Sequence, residues 1–283
     1  MNYAIDLSQL KIDDEYICTE PQLQEIEKLL SSCPNNSPSL EQMWQMMDEV
    51  WDQLGCDNQN LNWDKISAFY SHPIWILNGL FIEQDELSLQ HRECISDWIN
   101  LNSQIKHVVD YGGGMGGLAL LLAKNNSQLS IDIYEPYPSQ VAIQRLANYS
   151  NIKFIDRTKS ETYDCLVSTD VLEHVPDPLS LLAEMVDSVR TGGYLLIANC
   201  FSPVIKCHLP QTFYLRYTFK LFTKLMGLKS LGYCLKDYVN VYVKEEKTLN
   251  WKQIRQVETM SKSIFPVLDS LHKGYRLGRK FTA

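Results

Sequence analysis

The stretch VVDYGGGMGG at residues 108–117 decides the fold. Two valines lead to Asp110, five of the next seven residues are glycine, and Leu118 opens an apolar segment. This order predicts a strand, a tight turn and the start of a helix, because glycine permits the positive φ and close ligand approach of such a turn. The free N–H groups at the helix start favour an anionic ligand group. Glu135, 19 residues after Gly116, stands where a carboxylate binds the ribose hydroxyls of a nucleotide-like cofactor.

Composition is that of an ordinary globular chain. Its 283 residues are 45% hydrophobic and 21% charged, which suits one large domain or one domain with an added segment. The eight cysteines contain no CxxC pair, and no signal peptide or membrane-spanning run stands out. We therefore expect a soluble, cytoplasmic protein with reduced thiols. The spacing of Cys200, Cys207 and His208 matches no metal signature, so we expect no metal site.

Charge is divided unevenly along the chain. Residues 1–200 carry 11 lysines and arginines against 29 acidic residues, whereas residues 201–283 carry 15 against 5. An acidic body argues against general nucleic-acid binding, which depends on neutralising phosphates. The basic last third either contacts an anionic substrate or pairs with the acidic half, and the second explanation is favoured.

The first 104 residues are expected to form a helical segment that caps the substrate site. Pro21 starts one helix, and Ser39 with Gln42 forms a capping box for a second. Further helices are expected at 62–71 and 85–100, with a break at Pro73. Five of the six tryptophans fall within the first 100 residues, where they form either a helical core or, alternatively, a wall of the substrate pocket.

From residue 105 short β-branched runs alternate with helical segments, which predicts a doubly wound, mostly parallel sheet. The expected strands are 106–111, 129–134, 152–155, 163–168 and 193–199, and the expected helices are 116–126, 138–149 and 178–190. An aromatic, basic helix at 211–227, strand-like runs at 230–236 and 238–244, and a C-terminal helix at 250–272 follow. The short link between the two runs requires an antiparallel pair.

The glycines fit two cofactor templates. Gly112, Gly114 and Gly117 match the GxGxxG spacing of dinucleotide-binding folds. Gly112, Gly114 and Gly116 match the acidic-x-Gly-x-Gly-x-Gly pattern of S-adenosylmethionine sites. Asp110 favours the second template, because a carboxylate can hold a methionyl ammonium but gains nothing beside a pyrophosphate.

Four motifs taken together, VVDYGGGMGG, IDIYEP, DVLEHVPDP and TGGYLLIAN, resemble the class I S-adenosylmethionine-dependent methyltransferases. The group that the chain looks closest to includes the ubiquinone-biosynthesis O-methyltransferases. The resemblance covers residues 105–200 and implies an α/β fold, with a seven-stranded, mostly parallel Rossmann-like sheet and an antiparallel last strand. We expect the chain to consist of the helical segment, a cofactor-binding core at 105–249 with a lid helix at 205–228, and a helical tail at 250–283.

The resemblance also implies which residues contact the cofactor. The methionine part would be lined by Asp110, Gly112, Gly114 and Gly116, while Glu135 would bind both ribose hydroxyls, Asp156 would lie near the adenine, and Thr169 and Asp170 would lie beside the methyl donor. At Asp156 the chain departs from the family pattern, because Arg157 and Thr158 replace the usual small residues.

The expected activity is methyl transfer from S-adenosyl-L-methionine, with S-adenosyl-L-homocysteine as product, to oxygen on a small-molecule or peptide-derived natural product. The alternatives are N- or C-methylation, an NAD(P)-dependent oxidoreductase, and a binding module without activity. His174 and His208 are the candidate bases for a hydroxyl acceptor, whereas a carboxylate acceptor needs no base. Membrane contact is not expected, and the sequence leaves the acceptor and the oligomeric state open.

Overall fold

The computed structural model describes residues 4–234 and 238–280, with side chains described up to residue 273. The helices are α1 (Glu20–Ser31), α2 (Leu40–Gln53), α3 (Trp63–Tyr70), α4 (Ile74–Ile82), α5 (Glu86–Leu101), α6 (Gly117–Asn125), α7 (Gln140–Leu146), α8 (Pro178–Ser188), α9 (Leu215–Leu225) and α10 (Trp251–Lys280). The strands are β1 (Lys11–Ile12), β2 (Glu15–Tyr16), β3 (His107–Tyr111), β4 (Ser130–Tyr134), β5 (Ile152–Ile155), β6 (Tyr163–Thr169), β7 (Val189–Ala198), β8 (Leu228–Tyr233) and β9 (Asn240–Lys244).

A seven-stranded sheet in the order β5-β4-β3-β6-β7-β9-β8 forms the centre of the fold. The strands from β5 to β7 are parallel, and β9 runs antiparallel to both β7 and β8. This arrangement confirms the fold class predicted from the sequence, although the end of the expected run 230–236 lies outside the described residues. The strand order reverses between β3 and β6, so the carboxyl ends of these two strands open the crevice in which such sheets bind ligands.

Successive side chains of a strand point to opposite faces of the sheet, and each face has its own hydrophobic core. Val108 packs with α5 and α6 on one face, while its neighbour Val109 packs with α8 and α9 on the other. Strands buried on both faces carry apolar runs at their centres, as Val108 and Val109 do in β3 and Cys165 to Val167 do in β6. One difference from the expectation concerns β7, which begins at Val189 rather than residue 193, so that Gly192 and Gly193 lie within the strand instead of before it.

The helical segment contains one helix that the sequence did not predict. The capping box of Ser39 and Gln42 is present at the start of α2. Pro73, however, is the N-cap of α4 rather than only a break. The run IWILNGLFI of α4 is buried on nearly all sides, so it lacks the 3.6-residue apolar pattern by which an amphipathic helix is recognised.

Polar anchors fix the helical segment to the core. Arg145 of α7 makes two hydrogen bonds, of 2.7 and 2.5 Å, to the carboxylate of Glu83, and both side chains are largely buried. The backbone N–H of Lys206 donates to Asp48 at 2.7 Å, and its ammonium pairs with Asp52 at 2.5 Å. The segment that follows β7 is therefore held against α2.

The basic helix α9 packs into the core beneath α10. Leu215 and Phe222 are fully buried. Arg216 pairs with Asp269 of α10 at 2.6 Å, and Lys220 donates to the hydroxyl of Tyr233 at 2.8 Å. Two basic residues of α9 thus have protein partners, and the lid role remains a prediction. Within the described ranges, no helix is at once long enough and apolar enough to cross a bilayer.

Candidate cofactor and acceptor site

The glycine loop between β3 and α6 forms an open cradle. Gly112, Gly114 and Gly116 have φ values of 78°, 53° and 73°, in the left-handed region that favours glycine. A Cβ added at Gly112 would lie 2.5 Å from Val171 Cγ2, and one at Gly116 would lie 2.3 Å from Leu146 Cδ1. A Cβ added at Gly114 would meet no atom of the described chain within 4 Å. The backbone at Gly114 therefore faces open space that a ligand can occupy.

Glu135 closes one side of this cradle. It directly follows β4, and its Oε2 accepts the backbone N–H of Gly114 at 2.9 Å. Its Oε1 accepts the N–H of Tyr137 at 3.1 Å. Burial raises the pKa of Glu135, while the two N–H donors oppose that rise. The structure thus brings the predicted glycines and the predicted carboxylate together.

Asp110 presents a buried oxygen without a donor. The residue is only 4% exposed, and its Oδ2 has no hydrogen-bond partner among the described residues. Burial raises the pKa of Asp110 to about 7, with the nearby guanidinium of Arg92 opposing this and Glu135 adding to it. A buried carboxylate oxygen without a donor is unfavourable unless a ligand supplies one, so this position suits an ammonium group.

Arg92 is a site residue that the sequence analysis missed. It lies on α5, where its guanidinium donates to the carbonyl of Ser88 at 2.9 Å. Burial lowers the pKa of Arg92, and the negative charges of Asp110 and Asp170 counter that effect. Helical spacing would have found it, because Arg92 precedes the buried Ile95 and Ile99 by three and seven residues on the same face.

The carboxyl end of β6 carries a second group of side chains. Thr169 ends the strand opposite Ala198 of β7. Asp170 follows with a φ of 54°, and its Oδ2 accepts a hydrogen bond from the hydroxyl of Tyr238 at 2.7 Å. Val171 comes next and packs against Gly112. This group therefore adjoins the glycine loop.

Behind Asp170 lie a buried carboxyl group and two imidazoles. Glu173 accepts the N–H of Cys200 through Oε1 at 2.5 Å, whereas its Oε2 lacks a partner in the described part of the chain. The Nδ1 atoms of His174 and His208 lie 3.1 and 2.7 Å from the carbonyl oxygens of Cys207 and Ser202. Because a carbonyl only accepts, each Nδ1 carries the proton and each Nε2 keeps its lone pair.

Electrostatics keeps this cluster of Glu173, His174 and His208 free of positive charge near neutral pH. Burial lowers the pKa of His174 to about 3, helped by the neighbouring His208, and burial also lowers the pKa of His208. Burial and the charge of Asp170 raise the pKa of Glu173 well above its usual range. One possible ligand atom from each residue lies within 4.8 Å of the others. Such a cluster can accept a proton or hold a divalent ion, and the expectation of no metal site stays a prediction.

An aromatic wall from the helical segment joins the two groups. Tyr70 of α3 stacks on Tyr137 with ring centroids 5.2 Å apart, and its edge meets His174 at 6.2 Å. The ring of Trp75 also packs against Tyr70, with ring centroids 5.2 Å apart. Burial raises the pKa of Tyr70, and the nearby Glu135 raises it further. The sequence pointed to this wall only through the number of tryptophans in the first 100 residues.

Several other polar residues do not add a side chain to these two groups. Asp156 is exposed, and within the described ranges its carboxylate makes no hydrogen bond or ion pair. The Nδ1 of His72 accepts the N–H of Ile74, so this residue caps α4. His91 stacks on Tyr238 with centroids 3.8 Å apart. Cys200 and Cys207 contribute backbone groups to the cluster rather than their thiols.

Known proteins resemble this chain in sequence and in fold. The ubiquinone biosynthesis O-methyltransferase of Aliivibrio fischeri strain ATCC 700601 / ES114 is 29% identical over 33% of this chain and 44% of its own length. The enzyme of the same name from Hydrogenovibrio crunogenus is 32% identical over 33% of this chain and 42% of its own. The matched part thus spans less than half of these relatives. An O-methyltransferase family protein from Burkholderia thailandensis shares the fold, with a TM-score of 0.54 at 13% identity over 86% of this chain and 77% of that one.

A family profile covers a larger share of the chain. The profile described as a methyltransferase domain matches residues 88–258, which is more than half of the 283 residues. The match begins within α5, which carries Arg92, and ends within α10. It includes the glycine loop, Glu135 and the segment after β6. The chain therefore belongs to the methyltransferase domain family, which confirms the resemblance to class I S-adenosylmethionine-dependent methyltransferases seen in its motifs.

Proposed function

We propose that the chain transfers a methyl group from S-adenosyl-L-methionine to an oxygen atom of a small-molecule or peptide-derived acceptor. The observation that carries the proposal is the open cradle at Gly114, bounded by the donor-less Oδ2 of Asp110 and by Glu135. An anion before the glycines repels a pyrophosphate, so this arrangement favours the methyl donor over a nicotinamide dinucleotide. Family membership supports the same conclusion.

Each part of the cofactor has residues suited to it. Asp110 would accept hydrogen bonds from the ammonium group, and Arg92 would pair with the carboxylate of the methionine part. Glu135 would bind the ribose hydroxyls, and Thr169 and Asp170 would flank the donor. Asp156 is proposed beside the adenine, where its exposed carboxylate has no competing partner in the described chain. When bound, S-adenosylmethionine supplies a methyl group already activated by its sulfonium charge.

The chain's own contribution would be alignment, exclusion of water and removal of a proton. The rings of Tyr70, Tyr137 and Trp75, which pack on one another, would keep water out of the crevice. We assign removal of the proton of an acceptor hydroxyl to the Nε2 lone pair of His208 in preference to that of His174, because a pKa of about 3 makes His174 a weak base. A positioned base of this kind contributes about 10²–10⁴-fold to the rate. This is our reason to propose oxygen as the methylated atom.

The chain's other segments suggest where the acceptor binds and where the protein works. The helical segment to residue 104 supplies the aromatic wall, and the segment after β7 supplies His208, so we assign both to the acceptor pocket. A hydroxyl-bearing natural product suits such a pocket. We place the protein in the cytoplasm, since all eight cysteines lie in the described chain and none forms a disulfide there.

Calorimetric titration tests the cofactor assignment. We expect S-adenosylhomocysteine to bind with micromolar affinity, NADH not to bind, and Glu135→Gln and Gly114→Val to weaken binding. Binding of NADH in place of S-adenosylhomocysteine would refute the proposal.

A screen of hydroxyl and carboxylate acceptors with labelled S-adenosylmethionine tests the reaction. His208→Gln and His174→Gln should lower turnover without changing S-adenosylhomocysteine affinity. Activity that disappears on dialysis against a chelator and returns with a divalent ion would instead make the cluster a metal centre and overturn the base assignment.

A further inference from the structure

We propose that Tyr238 is a positioning residue of the cofactor site and acts through Asp170, an inference that rests on the proposed function. Tyr238 belongs to the hairpin formed by β8 and β9, in the connection between the two strands, two residues before β9 begins at Asn240. The hydroxyl donates to Asp170 Oδ2 at 2.7 Å, across 68 residues of sequence. The connection that leads into β9 thus contacts the loop after β6.

Asp170 needs such support because its backbone is strained. Its φ of 54° lies in the left-handed region, which aspartate adopts more readily than most residues but which still relies on surrounding contacts to persist. The N–H of Asp170 donates to the carbonyl of Ala198 at 2.9 Å, which fixes the main chain. The bond from Tyr238 fixes the side chain. Burial raises the pKa of Tyr238, so its phenol keeps the proton that it donates.

The surroundings place this contact at the methionine end of the cofactor cradle. His91 stacks on the ring of Tyr238 with an interplanar angle of 18°, which leaves the phenol little freedom. The next residue, Arg92, is close enough for the charges of both Asp110 and Asp170 to act on it. Loss of the Tyr238 hydroxyl should therefore disturb binding of the amino-acid part of the cofactor more than binding of its nucleoside part.

Two ligands and two variants test this inference. Tyr238→Phe keeps the ring on His91 but removes the hydroxyl, so we expect affinity for S-adenosylhomocysteine to fall on the order of tenfold, as for one lost hydrogen bond to a charged group. Affinity for adenosine, which lacks the amino-acid part, and the melting temperature should not change. Tyr233→Phe is the matched control, because Tyr233 lies on the same hairpin and its hydroxyl contacts only the exposed side of α9.

A double-mutant cycle shows whether Tyr238 acts through Asp170. If it does, Tyr238→Phe adds no further loss of affinity in an Asp170→Ala background, in which the acceptor of the phenol hydrogen bond is gone. Unchanged S-adenosylhomocysteine affinity in Tyr238→Phe, or equal losses for both ligands, overturns the positioning role. Failure of the wild-type protein to bind S-adenosylhomocysteine refutes the proposed function itself, so the two failures are distinguishable.

A separate observation concerns two thiols that join the same hairpin to α5. The Sγ atoms of Cys94 and Cys234 lie 3.2 Å apart, although 140 residues separate them in sequence. A disulfide requires about 2 Å between the sulfurs, so only a small movement is needed. We infer that these cysteines form a reversible latch, oxidised by a small-molecule disulfide such as glutathione disulfide.

The exchange balances without another reactant. One thiolate attacks glutathione disulfide and releases one glutathione, and the second thiolate then attacks the protein sulfur of the mixed disulfide and releases the other. The protein loses two hydrogens, which the two glutathione molecules carry. Intramolecular cross-links in cytosolic proteins are typically of this transient, redox-sensing kind.

Intact-mass measurement and peptide mapping test the latch. After incubation with glutathione disulfide we expect a product two hydrogens lighter, a peptide pair joined through Cys94 and Cys234, and a higher melting temperature. Cys94→Ser should abolish this product, whereas the control Cys33→Ser, at a buried thiol elsewhere in the chain, should retain it. A stable glutathione adduct at Cys94 or Cys234 in place of the cross-link would overturn the inference.

Discussion

Cofactor affinity should depend on pH through Asp110. In the ligand-free protein burial raises the pKa of this carboxyl to about 7. A ligand ammonium binds the ionised form, so below neutral pH binding must first remove a proton. With that pKa, about nine-tenths of the protein is ionised at about pH 8 and about 3% at about pH 5.5. The apparent affinity for S-adenosylhomocysteine should therefore fall roughly 30-fold over this interval.

Calorimetry across that range, repeated with adenosine, measures the effect. Adenosine lacks the ammonium group and reports only on the ribose side of the site, where the raised pKa of Glu135 acts. The difference between the two ligands isolates Asp110, and Asp110→Asn should abolish it. An affinity for S-adenosylhomocysteine that stays flat, or that rises on acidification, would refute the reasoning.

Three further outcomes concern stability. The pKa of Asp110 in the folded protein lies above its unfolded value of 3.8, so the ionised carboxyl opposes folding at higher pH. Asp110→Asn should therefore raise the melting temperature by about 5 °C at about pH 8. This gain should vanish as the pH falls toward about 4. Gly116→Ala should lower both melting temperature and S-adenosylhomocysteine affinity, because its φ is 73° and the added Cβ would lie 2.3 Å from a leucine side chain. Glu83→Gln leaves the largely buried guanidinium of Arg145 poorly paired and should lower the melting temperature by about 5 °C in a calorimetric scan. The control Lys229→Gln, which removes the exposed pair with Glu245, should change it little.

Local sequence patterns were sufficient to predict those features whose defining residues are near neighbours in the chain. The glycine loop and Glu135 come from a turn and a strand end whose residue types are dictated by backbone conformation and by the ligand, so the structure finds them together. The helix α8 begins at Pro178 after its N-cap Asp177, as capping chemistry requires. These features depend on a few neighbouring residues, and a sequence shows them directly.

Residues placed by long-range contacts could not be found in this way. Tyr238 reaches Asp170 only because β9 inserts between β7 and β8, an order that no local pattern encodes. Tyr70 joins the site because the helical segment folds over the crevice. The Nε2 atoms of His174 and His208 keep their lone pairs because each Nδ1 atom bonds to a carbonyl group of the segment after β7. The sequence does not predict the path of that segment.

The anchors between the helical segment and the chain after β7 have a consequence for how such enzymes diversify. Asp48, Asp52 and Asn58 all contact Lys206, so the two segments that we propose to form the acceptor pocket are bound to each other. A chimera that exchanges only one part with a relative separates these partners and should fold poorly. A chimera that exchanges both segments together keeps these contacts and leaves the glycine loop unchanged. We therefore expect the two segments, and the acceptor preference proposed for them, to change together during evolution while the cofactor-binding part stays the same.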